Sequence, residues 1–500
     1  MPNGFAYLVL LSWPLVAIVL FRVMSLPRAI AWTIIAGYLL LPARAGIDLP
    51  LLPALDKTLI PALSAAVLTW VKLRDPRTAP AVPAAPRVRM LLLVLFGLVL
   101  VSPFATALTN AEPVIIGEGA LYIPGIRIYD ALSDVNQMLV MLIPFLLARR
   151  FLATEADHAV LLKVIALAGI AYCLPIFIEA RLSPQLNVWI YGFFPHSFSQ
   201  HIRGSGYRPL VFLNHGLWLA IFMASAVLAA AAMFRIRRDR GDRIGWILMA
   251  VFLLASLVLV RSLGAFLITV TLLPVMLMAG PRGKVLVAAL LAGLVLFYPL
   301  LRGSGLVPVD RIAATVESVA PARAESFEFR LVNEDELLER ANLKPFFGWG
   351  GWGRPFIYDE DGENQSTPDG AWIIVIGQGG WMRYLAIFGL LSMPIVILWW
   401  RAGRVRPGPA SAGLALVLGA GLVDLLPNGT VTPLTWLLAG AVAGRAQALQ
   451  AAGSEEPEPE PDRAGRVRRT GKERPARPPR RREPAVPVRA APVRRATRPR

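Results

Sequence analysis

The sequence has little charge and almost no cysteine. Only 17% of its 500 residues are charged, whereas a soluble domain usually carries about 25%. Its single cysteine, Cys173, excludes a disulfide framework within the chain. Hydrophobic residues reach 56% and the mean hydropathy is +0.56. This composition indicates a polytopic membrane protein rather than a set of soluble domains.

Sequence patterns for nucleotide, metal or acyl-transfer chemistry are also missing. There is no Walker A loop, no Gly-x-Gly-x-x-Gly after a strand and no Gly-x-Ser-x-Gly. The acidic run 359–363 fails the calcium-loop pattern, because Gly362 stands at its fourth position rather than its sixth. We interpret that run as a solvated turn, and we expect no metal and no cofactor. The four histidines show no zinc spacing: His158, His196, His201 and His215.

Long apolar runs fill most of the chain. A membrane helix needs about 20 mostly apolar residues. The first run has no preceding basic region and no following cleavage site, so we interpret it as a retained helix. The predicted fold class is all-α, a polytopic bundle of about 12–13 transmembrane helices. The candidate spans lie at 5–21, 29–41, 58–71, 90–108, 135–147, 164–178, 209–234, 244–260, 265–279, 285–301, 385–400, 412–426 and 430–443.

The positive charge of the short loops predicts the orientation of the bundle. Cytoplasmic loops carry an excess of Lys and Arg. One set of alternate loops holds 20 of these residues, namely 22–28, 72–89, 149–163, 235–243, 282–284 and 401–406. The opposite set holds 7, in 43–57, 109–130, 179–208, 261–264 and 427–429. We therefore expect the N-terminus outside and the C-terminus inside the cell.

Four segments follow from this layout. Residues 1–301 hold ten spans and an outward loop at 179–208 of about 30 residues. Residues 302–382 form an outward loop of about 80 residues, with a predicted amphipathic helix at 334–341. Residues 383–446 hold the last three spans. The tail at 453–500 is predicted to be disordered and to lie near lipid headgroups rather than to bind nucleic acid.

Three arginines of the predicted outward face are the main candidate binding residues. Arg208 precedes one span, Arg261 lies between two apolar runs, and Arg330 lies in the large loop. Snorkelling to the headgroups would explain the first two, and an ion pair with Glu334 would explain the third. The alternative is a phosphate site, because a guanidinium binds phosphate through a bidentate fork.

Three motifs resemble those of the O-antigen ligase and polysaccharide polymerase family. The first is RPLVFLNHGLWL at 208–219. Arg330, followed by PFFGWG at 345–350, is the second. The third is DGAW at 369–372, leading to GGW at 379–381. Together with the large outward loop before the last helices, the resemblance covers about residues 5–446.

The resemblance implies a GT-C-like membrane glycosyltransferase of the bacterial inner membrane, inverting and independent of metal. The donor would be a polyprenyl-diphosphate-linked oligosaccharide on the periplasmic side. Arg208, Arg261 and Arg330 would bind its diphosphate. At the second of these positions the family usually has the order Ser-Arg, whereas this chain has Arg261 before Ser262. Membrane lipids are the other expected partner. The sequence leaves open whether a polysaccharide chain-length regulator also binds.

One departure from the family pattern concerns the catalytic base. The ligases carry a His-Asn pair at the end of the large loop, where this chain has Asp369 and Gly370. This favours a polymerase over a ligase. Asp369 is then the candidate base, unless it only forms an Asp-Gly turn, and His215 is the alternative. Three tryptophans are candidates for stacking on sugars or for interfacial anchoring: Trp349, Trp352 and Trp372.

Two other functions compete with polymerisation of lipid-linked repeat units. An O-antigen ligase would transfer the glycan to a lipid acceptor. A lipid-linked oligosaccharide flippase would be a transporter rather than an enzyme. Transporters of this kind carry internal repeats, and we find no convincing repeat between the two halves of the sequence.

The topology can be tested with a reporter fused after Arg500. The charge bias predicts cytoplasmic behaviour of that reporter, since an odd number of spans separates it from the outward N-terminus. A fusion that shows periplasmic activity would contradict the thirteen-span topology.

Overall fold

The structure is a computed structural model that describes residues 1–48, 53–73, 85–203, 206–237, 239–319 and 321–452. The tail at 453–500 lies outside the described residues. Helices dominate the described part, as the sequence predicts. Strands form three antiparallel hairpins: β1 (Gly46–Ile47) with β2 (Leu55–Asp56), β3 (Val114–Ile116) with β4 (Leu121–Ile123), and β5 (Ile202–Arg203) with β6 (Gly206–Tyr207).

Each of the thirteen candidate spans overlaps an α-helix. Within the described ranges, eight helices are long and apolar enough to span a membrane, which is the organisation of a multi-pass membrane protein. The helices are α1 Gly4–Val23, α2 Leu26–Leu40, α3 Leu59–Lys72, α4 Pro86–Leu108, α5 Ile128–Phe151, α6 Glu155–Leu182, α7 Leu186–Tyr191, α8 Gly216–Ile236, α9 Arg240–Leu259, α10 Leu263–Met278, α11 Pro281–Gly303, α12 Val309–Val319, α13 Pro321–Asn342, α14 Ala371–Ala402, α15 Pro409–Asp424 and α16 Pro433–Ala452.

The long connections meet at one end of the bundle, which we call the loop end. Lys57 donates to the carbonyl of Phe212 at 2.9 Å, which joins the connections before α3 and α8. At the opposite end, Arg149 donates to Gln447 at 2.8 Å, between the last turns of α5 and α16. The loop end carries the connections 41–58, 109–127, 183–215, 304–370 and 425–432.

Helix α8 lies at the centre of the bundle. Nearly all of its side chains from Leu219 to Met233 are buried, and many of them are alanine. Such small side chains allow neighbouring helices to approach closely, which is how membrane helices gain packing energy.

Two boundaries differ from the sequence prediction. The span expected at 209–234 begins as a helix only at Gly216, so the apolar stretch 209–215 is not helical. Helix α14 begins at Ala371, inside the segment 302–382. The amphipathic helix expected at 334–341 is confirmed as the last part of α13.

Helix α14 is broken at Gly380, whose backbone has φ 62° and ψ −166°. Only glycine adopts this conformation readily. The break leaves backbone groups of α14 without their usual partners in the helix. The segment 345–350 satisfies them through four hydrogen bonds: Trp349 N to Gly377 O (2.8 Å), Gly350 N to Gln378 O (2.8 Å), Trp381 N to Pro345 O (2.8 Å) and Met382 N to Phe346 O (3.2 Å).

Substitution of Gly380 should therefore destabilise the protein. In Gly380→Ala, the new Cβ would meet the backbone of Phe346, and the backbone strain alone costs about 1–3 kcal/mol. We expect a lower unfolding temperature for the purified protein in detergent. Gly293→Ala in α11 is the matched control, because no atom lies within 4 Å of its added Cβ. Equal unfolding temperatures for the two variants would contradict this account of the break.

Candidate functional site

The segment 208–215 connects β6 to α8 and is held in place by a buried carboxylate. Glu179, near the end of α6, is 0% exposed. Its Oε2 accepts hydrogen bonds from the backbone N–H groups of Leu210 (2.9 Å) and Val211 (2.7 Å). Its Oε1 accepts from Leu186 N at 3.1 Å, at the start of α7. Glu179 therefore fixes the segment that follows Arg208.

The backbone of this segment is strained at Val211, which has φ 56°. A β-branched residue rarely adopts a positive φ, and the cost is about 1–3 kcal/mol. The surrounding structure sustains it, since Phe212 also donates its N–H to the Tyr172 hydroxyl at 3.3 Å and accepts from Lys57. Burial lowers the pKa of Lys57 to about 7, and nearby Asp56 opposes the shift.

Arg208 and Arg261 lie side by side at the loop end. Arg208 is buried, and its Nη2 donates to the carbonyl of Arg261 at 3.1 Å. Arg261 forms the turn between α9 and α10, with φ 54°. Its guanidinium packs closely on Gly206, so that a Cβ added at Gly206 would displace it. Two arginines from distant parts of the sequence are thus in contact.

Three imidazole rings lie next to this pair. The ring centroids of His196, His201 and His215 are 4.9–6.1 Å apart. The carbonyl of His201 accepts the backbone N–H of Arg208 at 2.7 Å. We call these five side chains the arginine–histidine cluster. Because it combines guanidinium and imidazole groups, the cluster suits an anionic ligand.

His215 is the N-cap of α8. Its Nδ1 accepts the backbone N–H of Leu217 at 3.1 Å. A neutral His215 therefore carries its proton on Nε2. This hydrogen bond occupies the Nδ1 lone pair that His215 would need to act as a base. The expectation that Arg208 directly precedes a membrane helix is wrong, because seven residues separate it from Gly216.

Arg330 and Asp369 form a second cluster. Their side chains make an ion pair, with Arg330 Nε 2.9 Å from Asp369 Oδ2. Glu334, the ion-pair partner that the sequence suggested, instead lies near Arg302. Burial raises the pKa of Asp369, and the charge of Arg330 opposes that shift. A carboxylate with a raised pKa is a stronger base once it is deprotonated.

The three tryptophans have different surroundings. Trp372 is 0% exposed, so the expectation that it stacks on sugars is wrong. Trp349 lies under Arg340 and Lys344, with the cations 4.2 and 4.7 Å from its ring centroid. Trp352 is 82% exposed and has φ 59°. It is therefore the candidate with a free ring face.

The acidic run 359–363 is a turn, as expected. Asp359 Oδ1 accepts the backbone N–H groups of Asp361 (3.1 Å) and Glu363 (2.9 Å). Among the residues that the structure describes, no group of three or more His, Cys, Asp or Glu side chains has a metal-binding arrangement.

Sequence reasoning missed three residues that shape the loop end. Glu179 is an acid at the end of an apolar run, and an ionisable residue at such a position is itself a signal of function. Arg383 follows the break in α14 and pairs with Asp134 of α5 at 2.5 Å. The same signal would have identified Arg383, whereas Lys57 lies in a loop and has no such signature.

Removal of the Glu179 carboxylate should loosen the segment that follows Arg208. In Glu179→Gln, an amide N–H replaces one acceptor, so a buried backbone N–H loses its partner at a cost of about 1–3 kcal/mol. We expect faster hydrogen exchange at the amides of Leu210 and Val211. Glu336→Gln on exposed α13 surface is the control. Unchanged exchange at both amides would show that the carboxylate does not hold the segment.

No protein-family model matches this chain, and no curated protein matches it. A function for the chain therefore rests on its own residues and their arrangement.

Proposed function

We propose that this protein is a membrane glycosyltransferase that polymerises polyprenyl-diphosphate-linked polysaccharide repeat units. The reaction is inverting and needs no metal. The membrane is the bacterial inner membrane, and the loop end faces the periplasm. The polyprenyl chain of the donor lies among the helices, and its diphosphate lies at the loop end.

The observation that carries the proposal is the contact between Arg208 and Arg261. These residues are 53 positions apart, yet Arg208 Nη2 lies 3.1 Å from Arg261 O. Two arginines in contact suit the two phosphates of a diphosphate, because a guanidinium group binds phosphate through a bidentate fork. The rigid mounting of Arg208, through the segment held by Glu179, is what electrostatic stabilisation of a leaving group requires.

The ion pair of Arg330 with Asp369 supplies the second element. In the proposed reaction, an acceptor hydroxyl oxygen attacks the anomeric carbon of the donor sugar. The bond from that carbon to the diphosphate breaks, and the diphosphate leaves with its electron pair. Asp369 takes the hydroxyl proton, and Arg330 places positive charge beside the departing group.

One observation favours a second candidate, the lipid-linked oligosaccharide flippase. Discontinuous membrane helices are common at the substrate sites of transporters, and α14 is broken at Gly380. In this chain, however, the segment 345–350 satisfies the backbone groups at the break. The backbone groups at the break are thus paired within the protein rather than directed at a substrate. The glycosyltransferase is therefore the better supported function.

Lysine substitutions test the diphosphate clamp. A lysine keeps the charge but loses the fork, so Arg330→Lys should slow turnover almost as much as Arg330→Ala. A charge-assisted hydrogen bond is worth about 1.5–3 kcal/mol, which corresponds to about 10- to 150-fold in rate. The assay is elongation of a polyprenyl-linked oligosaccharide by the purified protein. Arg208→Lys should slow turnover to a similar extent, and Arg261→Lys is the third variant to test.

Arg404→Ala is the matched control, because Arg404 is an exposed arginine in the connection between α14 and α15. It should elongate glycan at the parental rate, and a chelator should change nothing. Parental elongation by well-folded Arg330→Ala would refute the clamp at that residue. Loss of activity with the chelator would refute the metal-free mechanism.

A further inference from the structure

Three cavities at the loop end adjoin one another along one face of α5, because neighbouring cavities share lining residues. Their volumes are about 490, 320 and 220 Å³. The first and second share Tyr129, Ser133 and Gln137 as lining residues. The first and third share Met141, together with Asp56 of the preceding loop. We call these three adjoining cavities the α5 furrow.

The furrow follows the pitch of the helix. Tyr129, Ser133, Gln137 and Met141 are spaced four residues apart, so they form one stripe on α5. Pro144, which lines the third cavity, continues the stripe. At a rise of 1.5 Å per residue, the stripe from Tyr129 to Pro144 is about 22 Å long. This length can accommodate several linked sugar rings.

The chemistry of the wall changes along the stripe. The first and second cavities present the phenol of Tyr129, the hydroxyl of Ser133 and the carboxamide of Gln137. These groups donate and accept hydrogen bonds, as sugar hydroxyls require. The third cavity is lined by Trp218 and Trp436 as well as Met141. The furrow is thus polar near the loops and more apolar inside the bundle.

An exposed tryptophan lies at the rim of the second cavity. Trp352 lines that cavity although 82% of its surface is exposed. Its positive φ of 59° is strained for an aromatic residue. Arg354, which is only 2% exposed, anchors the turn through three carbonyl groups: Trp349 O (3.0 Å), Pro124 O (2.8 Å) and Glu112 O (2.9 Å). A rigid, exposed indole ring is a platform for a sugar ring.

Most of the charged groups that line the first two cavities are carboxylates. The first cavity holds the carboxylates of Asp48 and Asp56. The second holds Asp130, as well as Asp134, which pairs with Arg383. Lys57 lies in the third cavity. An anion would meet unfavourable potential in the first two cavities, whereas a neutral or cationic ligand would not.

We infer that the first two cavities of the α5 furrow bind a chain of neutral or amino sugars. This inference rests on the proposed function, in which the bound chain is the acceptor whose hydroxyl attacks the donor. Sugar rings stack on Trp352 and form hydrogen bonds with Ser133 and Gln137. The acidic lining excludes uronic acids from these cavities and keeps the diphosphate of the donor away from them.

Binding of three pentasaccharide probes to the full-length protein in lipid nanodiscs tests this inference. The probes are pentamers of N-acetylglucosamine, glucosamine and galacturonic acid, which are neutral, cationic and anionic. Calorimetric titration should detect the first two and show at least about tenfold weaker binding of the third. Trp352→Ala and Gln137→Ala should each weaken binding about tenfold, as expected for loss of one good contact.

Trp400→Ala is the matched control, since Trp400 is an exposed tryptophan at the opposite end of α14. It should bind the probes as the parent does. Failure of the parent to bind the neutral and cationic probes, equal binding of the anionic probe, or parental binding by both furrow variants would overturn the inference. Arg208→Ala separates it from the proposed function, because this variant should lose glycan transfer and keep pentasaccharide binding.

Discussion

Backbone polar groups inside a membrane must find partners within the protein, and the structure depends on how this constraint is met where the chain leaves the helix. Helices satisfy their own groups, but the segment 208–215 and the break at Gly380 do not. Glu179 supplies acceptors for the first, through Leu210 and Val211. The segment 345–350 supplies partners for the second. Specific hydrogen bonds therefore hold both irregular segments.

These two irregular segments position the residues of the candidate site. Arg208 directly precedes the segment that Glu179 holds, and it contacts Arg261 at the turn between α9 and α10. The segment 345–350 leads directly into the turn that carries Trp352. Helix α13 precedes the segment 345–350 and contains Arg330, which forms an ion pair with Asp369. Irregular backbone at functional sites thus has a physical origin here, because strain at Val211 and Trp352 persists only where buried partners sustain it.

Hydropathy predicts the positions of the helices, since each of the thirteen candidate spans overlaps one, and eight helices of the described residues are long and apolar enough to span a membrane. It fails at 209–215, where Leu210, Val211 and Leu213 are apolar and buried without being helical. Apolar composition indicates that a segment is buried, not that it is helical. A buried segment whose backbone N–H groups bind a carboxylate can have the same composition as a helix. The contact that decides this conformation comes from Glu179, which is distant in sequence.

The candidate site could be predicted only in part, for the same reason. The sequence identified Arg208 and Arg261 as arginines of one face, and the structure places them together. It gave no indication that Trp372 is buried or that Trp349 lies under two cations. These differences depend on packing between distant segments, to which local sequence patterns are blind. The stripe on α5 has a regular spacing of four residues, but the sequence alone does not show which loops face it.

The central claim is that Arg208 and Arg261 bind a prenyl diphosphate. Phosphorus NMR of a short-chain prenyl diphosphate, titrated with the purified protein in nanodiscs, tests it most directly. The account predicts that both phosphorus resonances shift with the parent protein and remain near their free positions with the Arg208→Lys, Arg261→Lys double variant. Identical shifts with the folded double variant would contradict the account.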